Sequence, residues 1–500
     1  MRPSLVLSVV LFLPVLVANP LVAATRDAVE SPHATMRELA REHLPVIQRN
    51  EEHEQRRSFA PKIASDASVF AVHAESLVTT PTIAAPPMTT GFAGSNEHGA
   101  IPSDAAGAVS AKFVLSSTNS AILAQDRAGT ILSSISLASF WHDAAFTDGF
   151  LYDSRVLYDA AADRWIICTL YDINLFKSTL LIAVSDGPNP SLGWHRYRFR
   201  VDPIDIWSAD LTRMVLTRDT IVLTANMYAG RSEELADVFT IRRSDAYAGA
   251  ATLPITQTHT DHVYDLIPVD GRDVAQLYFV AQRGVVDLSI FTLNGGALTN
   301  VGNPQAPPLN ITSTVFDVTA LQKGSPLKID CGFTFVHNAV MRNGTIWVAS
   351  QPYGNSPLRS SVMWWKITLS NPLRVDTGFI DDPTGATMYA FPSIAVNAFG
   401  AALIGYSVFN ASIYPSAGYS YIDSFNRLST PAVLKAGIIP SLYARWADFS
   451  GTVVDANDLD FWTTQTYGAF VVPGANGPWW GTWWGKIEVP APPRRRSALH

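Results

Sequence analysis

Charged residues are scarce in this chain of 500 residues, at 16% of the total, and the net charge is −7. Nucleic-acid binding depends on clustered lysine and arginine, which neutralise phosphate groups. The one dense basic run, Arg494 to Arg496, lies beside two prolines near the end of the sequence. It is typical of a solvated tail, which we predict to be disordered over residues 491–500. The composition therefore predicts no nucleic-acid partner.

Cysteine is nearly absent, since the chain has only Cys168 and Cys331. Two cysteines are too few for a disulfide framework, and they cannot form a cysteine-based zinc site unaided. A bridge needs Cα atoms within about 7 Å of each other. The repeat described below places these two residues three units apart, so we predict two unpaired thiols.

Long apolar runs are absent after the first 24 residues, although a membrane helix needs about 20 consecutive apolar residues. At the start, Arg2 precedes an apolar stretch from Leu5 to Val17, and small residues follow at Val22-Ala23-Ala24. This order is typical of a secretory signal peptide. A retained membrane anchor is the alternative, but two prolines and an asparagine interrupt the stretch. We predict a signal peptide over residues 1–24 and a soluble protein that is secreted or periplasmic.

Short β-branched and aromatic runs are abundant, and turn-forming residues bound each of them. They recur as a strand, a polar turn and a second strand, followed by a third strand, and most starts lie roughly 50–75 residues apart. Seven such units begin near Ala111, Arg155, Arg213, His262, His337, Ser393 and Arg445. Propeller blades are repeats of this kind, with about 40–50 residues each.

We therefore predict an all-β fold, a single seven-bladed β-propeller over residues 106–490. An irregular, partly helical extension over residues 25–105 is expected to precede it. The competing architecture is a two-sheet sandwich followed by a second β domain, which would show no regular unit. The proline-rich segment from Gly302 is the one candidate linker, and a loop insertion into a blade explains it more simply. We expect a monomer.

Two segments carry a resemblance to a known family. The first lies near the end of the chain and contains two motifs, Arg445-Trp446-Ala447-Asp448-Phe449 and Trp480-Gly481-Thr482-Trp483. The second is Asp153-Ser154-Arg155 with the strand that follows it. Together they resemble exported bacterial β-propeller proteins of the sialidase-like, seven-bladed type. Family members usually carry glycine in place of Ala447 and often tyrosine in place of Phe449. The resemblance implies the fold and export, and it implies no catalytic residues.

Candidate ligand-binding residues stand at or just before the first strand of several units. In a propeller these positions converge on one mouth of the central channel. The predicted set is Asp153, Arg155, Asp210, Arg213, His262, His337, Asn338, Arg445 and Asp448.

Three arginines in this set suggest one kind of ligand, because the planar guanidinium suits bidentate binding of a carboxylate. Sialidases clamp a sugar carboxylate with such a cluster, and Asp153, Asp210 or Asp448 would then act as acid or base. The alternative is structural, since Asp and Arg at strand starts commonly cap turns and tie neighbouring blades together. The Asp-box motif of sialidase-type propellers is missing, and the repeats are nearly free of glutamate. The structural interpretation is therefore favoured for these Asp and Arg residues.

Metal ligands are sparse. His259, Asp261 and His262 form the nearest group of imidazole and carboxylate ligands. The acidic run from Asp455 to Asp460 resembles the start of a calcium loop, but it lacks the glycine and the final glutamate, and an Asp-rich hairpin turn explains it better. We predict no metal site and no cofactor, with calcium as the weak alternative.

Two functional classes follow from these features. The first is a non-catalytic propeller that binds a glycan or another extracellular protein at the channel mouth, and the second is a glycoside hydrolase or lyase at the same place. The absent Asp boxes and the scarcity of glutamate favour binding. Two carboxyls about 5–10 Å apart that face an open cleft would favour hydrolysis, whereas acids that bind backbone amides would favour binding.

Overall fold

The computed structural model describes residues 23–42, 73–78, 81–95, 100–142, 149–172, 178–204, 206–229, 232–260, 265–282, 287–305, 318–332, 335–355, 357–370, 373–469 and 480–490. The fold is all-β, which confirms that part of the prediction. Among the described residues the helices are short: α1 (Met36–Leu39), α2 (Leu137–Trp141), α3 (Arg243–Ala246) and a 3₁₀ turn at Ala40–Glu42. No described helix is long and apolar enough to cross a membrane.

In the described part of the chain before the first predicted unit there are three strands: β1 (Ala23–Thr35), β2 (His73–Val78) and β3 (Met88–Ala93).

The strands that follow fall into groups of four, numbered here as units. Unit 1 comprises β4 (Ala106–Val109), β5 (Phe113–Ser117), β6 (Ala121–Asp126) and β7 (Ile131–Ser136). Unit 2 comprises β8 (Phe150–Asp159), β9 (Arg164–Asp172), β10 (Thr179–Ser185) and β11 (Gly193–Arg200). Unit 3 comprises β12 (Trp207–Leu216), β13 (Thr220–Ala229), β14 (Ser232–Arg242) and β15 (Thr252–Thr260). Unit 4 comprises β16 (Ile267–Asp270), β17 (Tyr278–Gln282), β18 (Leu288–Asn294) and β19 (Ala297–Gly302).

A separate hairpin, β20 (Thr319–Gln322) with β21 (Ser325–Asp330), comes between units 4 and 5. Unit 5 begins with β22 (Val336–Arg342) and β23 (Thr345–Ser350). A second short hairpin, β24 (Tyr353–Asn355) with β25 (Leu358–Ser360), precedes the unit's last two strands, β26 (Val362–Thr368) and β27 (Arg374–Ile380). Unit 6 comprises β28 (Thr387–Val396), β29 (Ala402–Asn410), β30 (Ile413–Ile422) and β31 (Ala432–Lys435). Unit 7 comprises β32 (Gly451–Val454), β33 (Phe461–Gly468), β34 (Trp480–Ile487) and the early strand β3.

Consecutive strands within each unit pair antiparallel, and short turns join many of them. Asp163, between β8 and β9, and Asn343, between β22 and β23, have φ angles of 53° and 51°. Asn and Asp tolerate this left-handed conformation better than other residues with a side chain. The polar turns that separate the first two strands of the predicted units are therefore real turns.

The first strands of the units lie next to one another in chain order. β4 contacts β8, β8 contacts β12, and the succession continues through β16, β22, β28 and β32. The last of them, β32, contacts β4 again. The first strands of the described units thus form a closed cycle of neighbours.

Each pair of neighbouring units encloses its own buried apolar cluster. Units 2 and 3, for example, bury Ile182 and Leu223 against each other, and units 5 and 6 bury Trp364 and Tyr406. Units 7 and 1 close the series with a cluster that contains Trp462 and Trp484. Apolar burial stabilises by about 25 cal/mol per Å², so the faces between units are the main source of cohesion.

The N-terminal strands complete sheets that are built elsewhere in the chain. β3 is the outermost strand of unit 7 and pairs antiparallel with β34. β1 lies between β11 and β15 and is antiparallel to both, so that units 2 and 3 form one nine-stranded sheet. β2 runs parallel to β27.

The structure therefore differs from the irregular, partly helical extension expected over residues 25–105. Among the described residues of that segment, three parts match the expectation: α1, a four-residue helix with a capping box formed by Thr35 and Glu38, the 3₁₀ turn after it, and the irregular residues 84–87 and 100–105. The strands β1, β2 and β3 do not match it. The expected boundary before residue 106 separates segments that share a sheet. The predicted signal peptide lies outside the described residues except for Ala23 and Ala24, which begin β1, and the predicted tail over residues 491–500 lies outside them entirely.

Candidate functional site

A cavity of about 430 Å³ lies between the first strands, and the first strand of every unit contributes to its wall. Arg155, Arg213, His337 and Asn338, all four of them predicted ligand-binding residues, line it, and so does Phe449. The sequence pattern pointed to this wall because it selected residues at the predicted starts of first strands. In the structure β8 and β12 begin earlier, at Phe150 and Trp207, so Arg155 and Arg213 lie within them.

The other predicted residues occupy different places. Asp153, Arg445 and Asp448 do not line the cavity, and they lie behind the residues that do. Asp210 is half-buried in β12, opposite Asn226 of β13. His262, like Asp261, lies outside the described residues.

Arg155 and Arg213 share one aromatic ring. Their guanidinium carbons lie 3.1 Å and 4.4 Å from the centroid of the Phe449 ring, a cation–π arrangement that favours a fixed guanidinium plane. Arg155 Nε donates to the carbonyl of Thr212 at 2.8 Å, and Arg213 Nη1 donates to the carbonyl of Leu211 at 2.8 Å. Backbone contacts thus orient both side chains.

Several N–H groups of this arginine pair have no acceptor. Nη2 of Arg155, and Nε and Nη2 of Arg213, are buried and make no hydrogen bond to any described residue. Within the described part of the chain, Arg213 Nη2 lies 3.8 Å from Asp265 Oδ1. Burial and the like charge of Arg213 lower the pKa of Arg155 to about 9. The site therefore holds two adjacent buried arginines with unused donors, and the charges of Asp153 and Asp104 act in the opposite direction on the pKa of Arg155.

His337 and Asn338 adjoin the pair from unit 5. The ring of His337 stacks on Phe335 with centroids 4.3 Å apart, and burial together with Arg213 lowers its pKa to about 3. The imidazole is therefore neutral at physiological pH, and neither nitrogen hydrogen-bonds to a described residue. Asn338 exchanges two hydrogen bonds of 2.9 Å with the backbone of Ile394 and so joins unit 5 to unit 6.

The buried acids lie together and bind the protein itself. Ligand oxygens of Asp104, Asp153 and Asp448 are within 4.8 Å of one another, and all three residues are buried. Asp104 Oδ1 accepts from the backbone N–H of Asp448 at 2.6 Å, and Asp153 Oδ2 accepts from that of Thr212 at 3.3 Å. Asp448 is also ion-paired with Arg445. These contacts join unit 7 to unit 1 and unit 2 to unit 3.

A common backbone feature explains why acids and amides collect here. Near the first strands of five units there is a residue with positive φ: Asp104, Asp153, Leu211, Asp265 and Phe391.

The backbone N–H groups of three of these residues donate to a side-chain amide of the preceding unit. Asn119 accepts from Asp153 at 2.9 Å, Asn226 accepts from Asp265 at 3.1 Å, and Gln351 accepts from Phe391 at 2.6 Å. The polar groups on this ring therefore hold adjacent units together.

Sequence reasoning missed Asp104, Asp265 and the role of Phe449. Asp104 precedes β4, a strand of small residues that the repeat pattern did not include because the first unit was started at Ala111. An aspartate two residues before a short strand, a position that Asp104 shares with Asp265, was the available signal.

The opposite end of the cavity carries several charged side chains, and its carboxylates are paired with arginines. Arg342 pairs with Asp458 and lies 4.0 Å from Asp273, and Arg272 lies 3.3 Å from Asp270. The fourth acid that lines the cavity, Asp455, accepts hydrogen bonds of 2.7 Å and 2.6 Å from Arg127. Each carboxylate that lines the cavity is thus paired with an arginine.

The two metal hypotheses receive no support from these contacts. Residues 455–460 form the β32–β33 hairpin, in which Asp455 is bound by Arg127 and Asp460 lies 3.2 Å from Lys486. His259 Nδ1 is 2.8 Å from Asp237, and Asp261 and His262 are outside the described residues. Lysine and arginine therefore occupy oxygens that calcium would need.

The buried acids predict a pH dependence. Burial, then the charges of Asp448 and Asp153, raise the pKa of Asp104 from 3.8 to about 7. The native state then holds a proton that the unfolded chain releases, so the stabilisation is complete below about pH 4 and is lost as the pH rises through about 7. We expect stability to fall by about 2–3 kcal/mol between pH 5 and pH 8 from this cluster.

Urea unfolding at both pH values measures this effect. Asp104→Asn, which cannot ionise, should flatten the slope, whereas Asp273→Asn, at an exposed carboxylate of the far end, should keep it. Equal slopes in the parent and in Asp104→Asn would contradict the assignment.

Comparison with known proteins gives distant likenesses only. No family model and no curated protein matches the chain. Among solved structures, a variant of the apocarotenoid oxygenase of Synechocystis matches at 11% identity and a TM-score of 0.30 over 73% of this chain. The match covers 65% of the oxygenase, so this chain spans less than two thirds of that protein.

Two further matches are an arabinofuranosidase and a neuraminidase-like protein. The α-L-arabinofuranosidase of Fusarium graminearum has 8% identity and a TM-score of 0.36, over 82% of this chain and 98% of that one. A neuraminidase-like protein of A/flat-faced bat/Peru has 12% identity and a TM-score of 0.29, over 56% of this chain and 93% of that one. TM-scores this low carry no argument about this chain, and the resemblance to exported bacterial propeller proteins stays a prediction.

Proposed function

We propose that this chain is an exported seven-bladed β-propeller that binds a carboxylate-bearing ligand in its central channel, without catalysis. The ligand class is an acidic glycan, with an acidic segment of another extracellular protein as the second source of the same group. The closed cycle of first strands and the apolar cluster at every junction support the ring. The apolar stretch at the start of the chain supports export to the periplasm or the medium.

The observation that carries the proposal is the set of unused donors on Arg155 and Arg213. A buried N–H without an acceptor is unfavourable by about 1–3 kcal/mol, and by more when the group is charged. A carboxylate accepts two parallel N–H bonds from one guanidinium, and its charge would relieve the repulsion between the two cations. The pair gains partners when such a ligand binds.

The size and lining of the cavity fit one sugar unit rather than a large apolar molecule. Its volume of about 430 Å³ is within the usual range for small-ligand sites. Val156 and Ile394 contribute apolar side chains to the wall, and His337 and Asn338 contribute polar ones from unit 5. A monosaccharide with a carboxyl substituent has both kinds of surface.

The disposition of the acids favours binding over hydrolysis. Glycoside cleavage uses two carboxyls that flank the bond, but Asp153 and Asp448 do not line the cavity, and they bind backbone and arginine. Asp270, Asp273, Asp455 and Asp458 do line it, each paired with an arginine. The pairing of these carboxylates supports the binding interpretation.

A glycan array combined with a panel of chromogenic glycosides tests the proposal. We expect retention of glycans that carry uronic or sialic acids, no retention of their neutral counterparts, and no turnover of any glycoside. Neutral glycans that bind equally well would contradict the role of the arginines. Turnover of a glycoside would favour the hydrolase instead.

Affinity measurements on variants give the residue-level test. Arg155→Gln and Arg213→Gln should each weaken binding by about 10–100-fold, since each removes charged hydrogen bonds of about 1.5–3 kcal/mol. Arg272→Gln is the matched control, because this arginine lines the same cavity but pairs with Asp270. It should change affinity less than about twofold, within the usual effect of a surface substitution. Melting temperatures of all three would show that they are folded.

A further inference from the structure

Two histidines and two acids lie close together where β1 pairs with β11, the outer strand of unit 2. None of the four lines the cavity. His33 belongs to β1, and His195 belongs to β11, the strand that β1 pairs with. Asp186 lies in the turn from β10 to β11, and Glu30 lies in β1. We call these four residues the β1 cluster.

The donor atoms of the β1 cluster have the spacing of metal ligands. His33 Nε2 is 2.9 Å and 3.1 Å from the two oxygens of Asp186, and His195 Nε2 is 3.3 Å from Oδ1 of the same carboxylate. One donor atom from each of these three residues lies within 4.8 Å of the other two. Ligands about 2.0–2.1 Å from a tetrahedral zinc ion would stand about 3.3 Å apart, so small side-chain adjustments would complete the geometry.

Glu30 supplies the outer contact that metal-bound histidines usually have. His195 Nδ1 is 2.5 Å from Glu30 Oε1. A carboxylate that accepts from one ring nitrogen fixes the tautomer, so that the other nitrogen carries the lone pair for a metal. Here that other nitrogen, Nε2, is the one that faces Asp186.

Two glycines keep the space around these atoms open. A Cβ at Gly193 would lie 2.0 Å from Asp186 Oδ2 and 2.7 Å from His33 Nε2. A Cβ at Gly249, whose φ is +62°, would lie 2.5 Å from His195 Nε2. Any side chain at either position would displace the donor atoms, so the cradle depends on glycine from both unit 2 and the β14–β15 connection of unit 3.

From this geometry we propose that the β1 cluster binds a divalent transition-metal ion, zinc above all. His33 Nε2, His195 Nε2 and the Asp186 carboxylate are the ligands, and Glu30 orients His195. Imidazole with a single carboxylate suits zinc rather than calcium or magnesium, which prefer oxygen ligands. His33 and Asp186 keep 45% and 41% of their side chains exposed, so a water molecule can take the fourth position.

A metal at this place would fasten β1 to the body of the protein. β1 joins units 2 and 3 through backbone pairing on both edges, but most of its side chains are exposed or half-buried. A metal ion with ligands from both β1 and unit 2 would link the two. Burial of apolar side chains attaches β1 only weakly, so the added link would matter. Binding to the native state alone then stabilises it in proportion to zinc concentration.

Titration of the metal-free protein with zinc tests the proposal, with cobalt as a spectroscopic probe. The purified chain, stripped with chelator, should take up a single equivalent of zinc at this cluster, and its melting temperature should rise. Cobalt should give the visible absorption of tetrahedral coordination. Calcium and magnesium should not compete.

Variants locate the ion. Glu30→Ala should weaken zinc binding by about 10–100-fold, and His33→Ala or Asp186→Asn should weaken it further and abolish the zinc-dependent rise in melting temperature. His259→Ala is the matched control, because His259 is an exposed histidine that pairs with Asp237. Zinc uptake that is absent in the parent, or equal in the parent and His33→Ala, would overturn the proposal. His33→Gln provides a folded comparison if the alanine variant is unstable.

Discussion

Trp484→Ala is expected to lower the free energy of unfolding by about 3–5 kcal/mol, the usual effect of deleting a buried tryptophan. The Trp484 side chain is fully buried where unit 7 meets unit 1. Its Nε1 donates to Ser116 Oγ of β5 at 2.7 Å, and its ring lies 6.3 Å from that of Trp462. The substitution therefore leaves a cavity at the junction between the first and last units.

Urea unfolding followed by tryptophan fluorescence and circular dichroism measures this change. Trp484→Phe should lose less, since it keeps most of the apolar contact and loses only the hydrogen bond. Trp207→Ala, at a half-buried tryptophan of β12, is the control and should have a smaller effect. A Trp484→Ala variant as stable as Trp207→Ala would contradict the idea that this junction holds the ring closed.

Replacing residues 88–93 by a flexible glycine–serine segment should have an even larger effect. The replacement removes β3 and with it the outer strand of unit 7, so the edge of β34 loses its backbone partners from Trp483 to Ile487. It also removes Phe92, which is buried at 9% exposure and lies 5.9 Å from Trp462. Loss of a buried phenylalanine alone destabilises by about 3–5 kcal/mol, and an unpaired edge strand invites aggregation.

The matched control is the same replacement of β2, His73–Val78. That segment is also six residues long, and it too adds an early strand to the outside of a later unit. We expect a smaller loss of stability, because β2 extends unit 5 without joining the two ends of the series. Size-exclusion chromatography and thermal unfolding compare the two variants. Equal stability of both would show that β3 does not close the ring.

The sequence predicted much of the fold because the units repeat a local pattern. Each first hairpin combines β-branched residues with a polar turn, and short-range signals of this kind are visible without a structure. β1 and β3 were missed because they pair with strands more than 150 residues away. β1 is also largely polar. Backbone hydrogen bonds to β11 and β15 hold it in the sheet, so it needs no apolar face.

The repeat also predicted that Arg155, Arg213, His337 and Asn338 converge on one cavity. Arg155 and Arg213 occupy equivalent places in neighbouring units, so the repeat alone brought them together. The pattern could not separate residues that line the cavity from residues that do not, such as Asp153 and Asp448. Members of both groups are near neighbours in the sequence, within or just before the same first strands. The hydrogen-bond partners in the structure are needed to see that the two arginines keep unused donors whereas the acids bind the backbone.

The β1 cluster shows a further limit of sequence reasoning. His33 and Asp186 are 153 positions apart, and neither belongs to a metal-binding motif. Their proximity follows from the pairing of β1 with β11, which no local pattern predicted. Long-range strand pairing therefore produced both the closure of the ring and the proposed metal site.

A crystal structure of the protein with an acidic monosaccharide or the best acidic glycan of the array tests the central claim most directly. The account predicts electron density for the ligand in the cavity, with its carboxylate accepting hydrogen bonds from Arg155 Nη2 and from Nε or Nη2 of Arg213. A ligand that binds elsewhere, or a carboxylate directed away from these two arginines, would contradict it.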